Sequence, residues 1–228
     1  MRRARPFLQS ARGIRKSPPL KRRATATAQQ RYGNASQTMK TSVDAPDWSA
    51  IPKPTDDGAA SHLAGMRIPS VPLKATDGTT VDLSKLPGRV VVYAYPRTGI
   101  PGIDNPPGWD LIPGARGCTP QACAFRDRFA ELKSLGVDFL FGLSSQDTAY
   151  QREAAERLHL PFPILYDEHF HLTKALRLPT FETSGMTLLK RLALVIDDGI
   201  IKHVFYPVFP PDQNANDVIA WLKAAGRP

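Results

Sequence analysis

The two cysteines of the chain, Cys118 and Cys123, lie five positions apart in the stretch GARGCTPQACAFRD. A run rich in glycine and proline precedes them, and the residues after them have the spacing of an amphipathic helix. A thiolate is both a nucleophile and a metal ligand. Two cysteines in 228 residues do not make a disulfide scaffold, and in a reducing compartment such a pair is more often catalytic or metal-binding.

Pro120 sets the predicted start of this helix. Proline is tolerated in the first helical turn, where its missing N–H needs no partner, and it biases the preceding residue away from helical angles. We therefore predict that Thr119 is the N-cap of a helix over about 119–135. Cys118 would then lie at the mouth of the helix, where free N–H groups and the helix dipole favour a thiolate.

The predicted helix holds the two thiols apart. Its apolar stripe runs through Ala122, Phe125, Phe129 and Leu132. Cys118 extends this stripe towards the core, whereas Cys123 lies about 140° away around the axis and nearer the surface. Cα atoms five residues apart on a helix are roughly 8–9 Å apart, and a disulfide needs about 7 Å or less. A disulfide between them would therefore require the helix start to unwind.

Strand and helix patterns alternate through the chain. Residues 89–95 are a continuous run of β-branched and aromatic residues after Arg89, and residues 137–144 read as another buried strand. Helical patterns follow both. An Asp-Gly turn at 77–78 predicts an N-terminal β-hairpin, and another at 198–199 predicts a last hairpin before a closing helix. This order predicts an α/β domain of thioredoxin-like fold, with a central mixed β-sheet flanked by helices. The loop after Tyr95 would lead from the carboxyl end of a parallel strand, where ligand sites form, to the cysteines.

Positive charge is concentrated in the N-terminal segment. Residues 1–43 carry eleven Arg and Lys side chains and no acidic one. They lack an apolar period, so we predict a disordered basic extension. The other residues hold 19 basic and 21 acidic side chains, a balance that gives no reason to expect nucleic-acid binding. We predict that 44–66 are a linker that wraps onto a domain over 67–228.

Three interpretations of the basic segment remain open. It could be a solvated tail, or an extension read before a true start at Met39. A composition rich in Arg and Ser without acids also fits an organelle transit peptide, and a basic arm could bind nucleic acid or a membrane surface. No stretch approaches the roughly 18 apolar residues of a membrane span, and none follows the basic residues as in a secretory signal. We expect a cytoplasmic protein.

Two stretches, VVVYAYPRTG and GCTPQACAFRDRFAEL, resemble in order the peroxiredoxins, in particular the bacterioferritin-comigratory type with two cysteines five apart on one helix. A third, LLKRLALVIDDGIIKHVF, is similar to that family's strand with the active-site arginine and the last hairpin. The likeness runs from about Ile68 to Lys223. It implies an antioxidant thiol peroxidase that reduces hydrogen peroxide or organic hydroperoxides and serves cell redox homeostasis.

The resemblance also implies a role for each site residue. Cys118 would be the peroxidatic cysteine, whose thiolate attacks peroxide and becomes a sulfenic acid. Cys123 would be the resolving cysteine, which forms an internal disulfide that a thioredoxin or similar dithiol reductant reopens. Arg191 would stabilise the thiolate and the negative charge that develops on oxygen. Pro96 would shield the site from water.

The chain departs from the family pattern just before the first cysteine. The family usually has Thr or Ser three residues before the peroxidatic cysteine, whereas this chain has Ala115 after an insert. Thr98 or Thr119 is a candidate for the missing hydroxyl, and a backbone N–H is the alternative. Within the insert, Trp109 would either wall the pocket or pin the loop. Arg116 would either add positive potential or be an ordinary loop residue.

Other functions remain open on the same fold. A thiol–disulfide oxidoreductase usually has two residues between its cysteines, and this pair has four. A copper(I) carrier would use Cys118, Cys123 and a distant histidine, but such carriers place three residues between the cysteines. His169 and His171 are predicted to be surface residues and His203 to fill a half-buried position. A non-enzymatic interaction protein is the last alternative.

The expected partners follow from the resemblance and the composition. They are a peroxide substrate and a dithiol reductant, with no nucleic acid and no membrane. We expect no cofactor and no bound metal, because four ligands are not visibly grouped in the sequence. A monomer and a homodimer are both open.

Overall fold

The computed structural model describes residues 47–99 and 101–226. The predicted disordered extension over 1–43 lies outside the described residues. The strands are β1 Pro72–Ala75, β2 Thr80–Asp82, β3 Arg89–Ala94, β4 Phe139–Ser144, β5 Ile164–Tyr166, β6 Thr180–Thr183, β7 Met186–Leu189, β8 Leu192–Asp197 and β9 Ile200–Phe205. The α-helices are α1 Cys118–Asp127, α2 Phe129–Ser134, α3 Thr148–Arg157, α4 His171–Leu176 and α5 Asn214–Ala225.

Seven strands form one mixed sheet in the order β2-β1-β5-β4-β3-β8-β9. The β3–β4 and β4–β5 pairs are parallel, and the other neighbours are antiparallel. Every residue of β3 is buried, as expected for a strand with elements packed on both faces. β1 and β2 pair across the turn at Asp77 and Gly78. The predicted mixed sheet flanked by helices is confirmed.

Side chains of β3 alternate between two cores, because successive residues of a strand point to opposite faces. Val90 and Val92 pack in one core together with side chains of α4. Val91 and Tyr93 pack in the other core, with the inward faces of α1 and α5. Cys118 belongs to this second core. The first residue of α1 is therefore packed onto the central strands.

The helix predicted after the cysteine-containing loop is two helices, and its predicted N-cap is wrong. α1 begins at Cys118 and has Gly117 as its N-cap, with φ +101°. Thr119 therefore lies inside the first turn and Pro120 is the third helical residue. The first N–H groups of a helix have no intrahelical partner, so the proline breaks no hydrogen bond there. The packing of Gly117 against Trp48 and Pro211 fixes the N-cap and outweighs the bias that the proline places on Thr119. Arg128, with φ −100° and ψ 5°, separates α1 from α2.

A second sheet, formed by β6 and β7 around Ser184 and Gly185, is absent from the sequence-based expectations. Its strands are short and mostly half-buried, so they lack a strong apolar pattern, although Ser-Gly is a turn signal. The stretch LLKRLALVID, residues 188–197, was expected to form one strand ahead of the Asp-Gly turn at 198–199. It instead contains the end of β7 and the whole of β8, interrupted at Lys190 and Arg191. The interruption places Arg191 directly before the first residue of β8.

Residues 47–66 of the predicted linker lie against the domain. Ala60 and Leu63 are buried in the core that includes α4. The boundary at residue 67 stays a prediction. Among the described residues, no helix has the length and apolar character that crossing a membrane requires.

Candidate active site

Cys118 is held at the first position of α1 by a tightly packed N-cap. Its side chain is 6% exposed. A Cβ atom added at Gly117 would lie 2.6 Å from Cγ of Pro211 and 2.8 Å from Cη2 of Trp48. Because this position also has a positive φ, only glycine fits there without strain. The cysteine thus sits where the unpaired N–H groups of the helix favour negative charge.

Arg191 contacts the sulfur directly. Its Nη2 atom lies 3.2 Å from Sγ of Cys118 and also donates to the carbonyl oxygens of Ala115 at 3.2 Å and Arg116 at 3.1 Å. Its Nη1 atom donates to Oε1 of Gln121. Among the described residues, the groups that accept hydrogen bonds from Arg191 include no carboxylate. The buried guanidinium therefore keeps an uncompensated positive charge beside the thiol, where the low dielectric strengthens its attraction for a thiolate.

Gln121 and Asn214 complete the support of Arg191, and sequence reasoning missed both. Each is fully buried, and Nε2 of Gln121 donates to Oδ1 of Asn214 at 2.8 Å. Asn214 is the first residue of α5, so this helix fixes the glutamine that in turn fixes the guanidinium. One signal in the sequence could have indicated Gln121. It is a glutamine one residue before the apolar position Ala122, on a helix expected to pack against the sheet.

Ala115 lies in an apolar cluster with Trp109 and Leu188. This packing explains why the position tolerates a methyl group in place of a hydroxyl. It also favours the interpretation in which Trp109 pins the loop, because the indole is 4% exposed within that cluster. The guanidinium of Arg116 is directed to Asp110 at 2.7 Å and is exposed, as expected for an ordinary loop residue. Only the backbone carbonyl of Arg116 reaches the site.

Pro96 and Thr98 are buried in the loop that follows β3. The hydroxyl of Ser144 donates to the carbonyl of Pro96 at 3.2 Å, and the side-chain amide of Gln146 bridges the N–H and carbonyl of Thr98. The end of β4 therefore fixes this loop. Among the described residues, the hydrogen bonds of the Cys118 sulfur go to Ala115 and Arg191, and none goes to Thr98.

Cys123 occupies the same helix, is half-buried and packs against the core that contains Cys118. Both cysteines are free thiols. Burial raises the pKa of the Cys123 thiol, and the nearby cation of Arg126 opposes this effect. The two cysteines lie within one continuous helix. While α1 stays helical, its geometry keeps their Cα atoms too far apart for a disulfide, as predicted.

The three histidines considered as metal ligands lie where they were predicted. His169 and His171 are exposed, and His203 is half-buried between the rings of Phe205 and Trp221. Burial lowers the pKa of His203. Over residues 47–99 and 101–226, no three His, Cys, Asp or Glu side chains are grouped to hold a metal ion.

Comparison with known proteins places this geometry in a family. The Redoxin family model matches residues 63–219. A putative chloroplastic peroxiredoxin Q of Oryza sativa subsp. indica is 30% identical over 225 residues, covering 96% of this chain and 95% of the relative. The chain belongs to the peroxiredoxin family.

The bacterial relatives support the same assignment for this peroxiredoxin. Peroxiredoxin Bcp of Escherichia coli K12 is 33% identical over 165 residues, covering 70% of this chain and 95% of the relative. The crystal structure of peroxidoxin BcpB from Mycobacterium tuberculosis has 26% identity and a TM-score of 0.58, covering 71% of this chain and 97% of that one. The predicted bacterioferritin-comigratory resemblance, thioredoxin-like fold and enzyme class are confirmed. The peroxiredoxin is a thiol peroxidase.

Proposed function

We propose that this peroxiredoxin reduces its peroxide at Cys118. The thiolate sulfur attacks one peroxide oxygen, so that an S–O bond forms and the O–O bond breaks. The second oxygen leaves as hydroxide or alkoxide and takes up a proton, giving water or an alcohol and a sulfenic acid at Cys118. The observation that carries this proposal is the 3.2 Å contact between Nη2 of Arg191 and Sγ of Cys118.

Three other residues have proposed roles in this step. Arg191 stabilises the thiolate and the negative charge on the departing oxygen, because its charge has no carboxylate partner in the described part of the chain. Pro96, buried in the loop after β3, shields the site from bulk water. Thr98, buried in the same loop, supplies the hydroxyl that the family pattern would place at Ala115.

Cys123 is the proposed resolving cysteine. Its sulfur attacks the sulfenic sulfur of Cys118, the S–S bond forms as the S–O bond breaks, and hydroxide leaves as water with the proton of the Cys123 thiol. The first turn of α1 unwinds before this attack, since helical spacing keeps the cysteines too far apart. A thioredoxin-type dithiol then reduces the disulfide by exchange and is itself oxidised to a disulfide.

The test is a single-turnover oxidation of the reduced protein, followed by intact mass and free-thiol titration. After one equivalent of hydrogen peroxide, we expect loss of both thiols and a mass decrease of about two hydrogens. Cys123→Ser should accumulate a sulfenic acid that dimedone traps, and Cys118→Ser should retain its thiol. If the thiols are lost no faster than a free cysteine reacts with peroxide in solution, Cys118 is not activated. A sulfenic acid on Cys123 instead would reverse the two assignments.

Resolution should accelerate with pH. Burial raises the pKa of Cys123 above its ordinary value, so its thiolate is scarce at neutral pH and grows about tenfold per pH unit below that pKa. The decay of the Cys118 sulfenic acid should follow this growth between about pH 7 and about pH 8.5. Stopped-flow with dimedone competition measures the decay. At a given pH, Arg126→Gln should slow the decay of the sulfenic acid, because the cation that opposes the rise in the pKa of Cys123 is removed. A decay that does not change with pH would contradict this prediction.

We also propose that the enzyme is cytoplasmic, as expected from the sequence. The rice relative is named chloroplastic, so residues 1–43 acting as a transit peptide is the alternative. A fluorescent fusion of the whole chain, compared with one that lacks 1–43, distinguishes the two locations.

Sedimentation of the reduced protein distinguishes the monomer from the homodimer.

A further inference from the structure

A segment that precedes the Redoxin match, residues 47–57, packs beside the cysteine and the arginine of the site. We name it the N-terminal strap. One end of the strap contacts the N-cap of α1, and the other end contacts the residue next to Arg191. The family comparison assigns no role to these residues, because the match begins at residue 63.

The first contact is made by Trp48. Its ring lies so close to Gly117 that a Cβ added there would be 2.8 Å from Cη2. The indole Nε1 donates to Oδ2 of Asp212 at 3.0 Å, and the ring packs edge-on against Phe209 with centroids 6.1 Å apart. The indole is therefore held on both sides, against the residue directly before Cys118.

The second contact is made by Asp57. Its carboxylate accepts hydrogen bonds from Nζ of Lys190 at 2.6 Å and from the hydroxyl of Tyr206 at 2.7 Å. These bonds hold the pKa of Asp57 far below its ordinary value. Between the two ends, Pro54 packs on Gly114, where an added Cβ would lie 3.6 Å from the proline ring. The strap is thus fastened to the loops on both sides of the site.

The position of the indole matters because resolution requires α1 to change shape. The first turn must leave the helical form before the two sulfurs can meet. Gly117 is the N-cap of that turn, with φ +101°, and Trp48 packs on it in the helical form. Any contact made only in the helical form lowers the population of the unwound form.

We propose that Trp48 is a positioning residue that keeps the first turn of α1 folded and so sets the lifetime of the Cys118 sulfenic acid. The inference rests on the proposed function. Unwinding is a rapid equilibrium that precedes the attack by Cys123, and the strap shifts it towards the helix. During that lifetime a second peroxide molecule can react with the sulfenic acid. It transfers one oxygen to sulfur, giving a sulfinic acid and one more water or alcohol.

The test compares Trp48→Ala with the unaltered chain in two separate steps. In the Cys123→Ser background, the reaction of Cys118 with hydrogen peroxide should stay unchanged, because the hydrogen bonds of the sulfur among the described residues go to Ala115 and Arg191 and none goes to Trp48. With both cysteines present, disulfide formation should accelerate about tenfold, as expected from loss of one packing contact of the helical form. The sulfinic fraction, measured as a mass gain of two oxygens under excess peroxide, should fall by a similar factor.

Two further variants guard against a folding defect. Asp57→Asn weakens the opposite end of the strap and leaves the indole in place, so it should accelerate disulfide formation by a smaller factor. Lys53→Ala, an exposed position in the strap, should leave both steps unchanged. Hydrogen exchange of peptides over 47–57 should increase in the disulfide form, because unwinding removes the surface on which Trp48 packs.

The outcomes separate this inference from the proposed function. If Cys118 does not react rapidly with peroxide in any variant, the proposed function fails. If Cys118 reacts normally but Trp48→Ala forms the disulfide at the original rate or more slowly, the inference about the strap is overturned and the enzyme assignment stands. A slower first step in Trp48→Ala would also overturn it, because the indole would then act on the cysteine itself.

Discussion

Replacing Arg191 by methionine should slow the reaction of Cys118 with hydrogen peroxide by about a hundredfold, the usual cost of losing one charged donor to a developing anion. The guanidinium is 3% exposed and contacts the sulfur at 3.2 Å. Methionine has a similar volume but no charge, so both the thiolate and the departing oxygen lose their cation. Single-turnover stopped-flow in the Cys123→Ser background measures this step alone.

A matched variant separates local charge from contact. Arg116→Met removes a positive charge two residues before Cys118, but its guanidinium is directed to Asp110, so the rate should stay within about twofold. Alkylation by iodoacetamide near neutral pH should fall in Arg191→Met and stay unchanged in Arg116→Met. Equal rate losses in both variants would mean that the general positive potential matters rather than the contact at the sulfur.

Replacing Arg89 by methionine should lower the free energy of unfolding by about 3–5 kcal/mol, the usual cost of removing one partner of a buried ion pair. Arg89 forms two hydrogen bonds to the carboxylate of Asp197, at 2.7 and 2.9 Å, across the β3–β8 pair. Both side chains are buried. The same guanidinium donates to the carbonyl of Gly226 at 3.0 Å and lies over the ring of Trp221. The end of α5 therefore loses its anchor as well. Urea denaturation measures the change.

The double variant Arg89→Met with Asp197→Leu distinguishes an unpaired charge from lost packing. It should recover more than half of the loss, because no uncompensated carboxylate remains in the core. Lys223→Ala removes an exposed ion pair with Glu131 and should cost no more than about 1 kcal/mol. A double variant as unstable as Arg89→Met would show that the hydrogen bond to Gly226 and the contact with Trp221 dominate.

The parts of the site that lie close together in the chain were predictable. The apolar run of β3 and the helix after the cysteines follow from local patterns, and together they place Cys118 at the carboxyl end of the parallel strands. The resemblance supplied Arg191. The N-cap was wrong because the local preference around Pro120 competes with the packing of Trp48 and Pro211 on Gly117. These contacts join residues far apart in sequence.

The distance in sequence between contacting residues also explains why the partners of Arg191 were missed. Gln121 and Asn214 are 93 residues apart. The sequence around either residue gives no signal that their side chains form a hydrogen bond. The hairpin of β6 and β7 was missed for a different reason, because the burial of its side chains does not alternate. No residue of β6 is fully buried, and the two buried residues of β7, Leu188 and Leu189, are adjacent, so neither strand shows a period of two.

The order of the main sheet leaves β2 and β9 as its two edges. An edge strand offers unpaired N–H and C=O groups to any other chain and is a common start of aggregation. Here β2 is only three residues long. The outer side of β9 is already paired in part, because Ile201 exchanges backbone hydrogen bonds with Gly65 and Met66. β9 also carries the exposed Lys202. Short length, an exposed cation and partial pairing of the outer side all oppose the addition of a foreign strand. The unwinding of the α1 start that we propose can therefore take place while both edges of the main sheet stay protected.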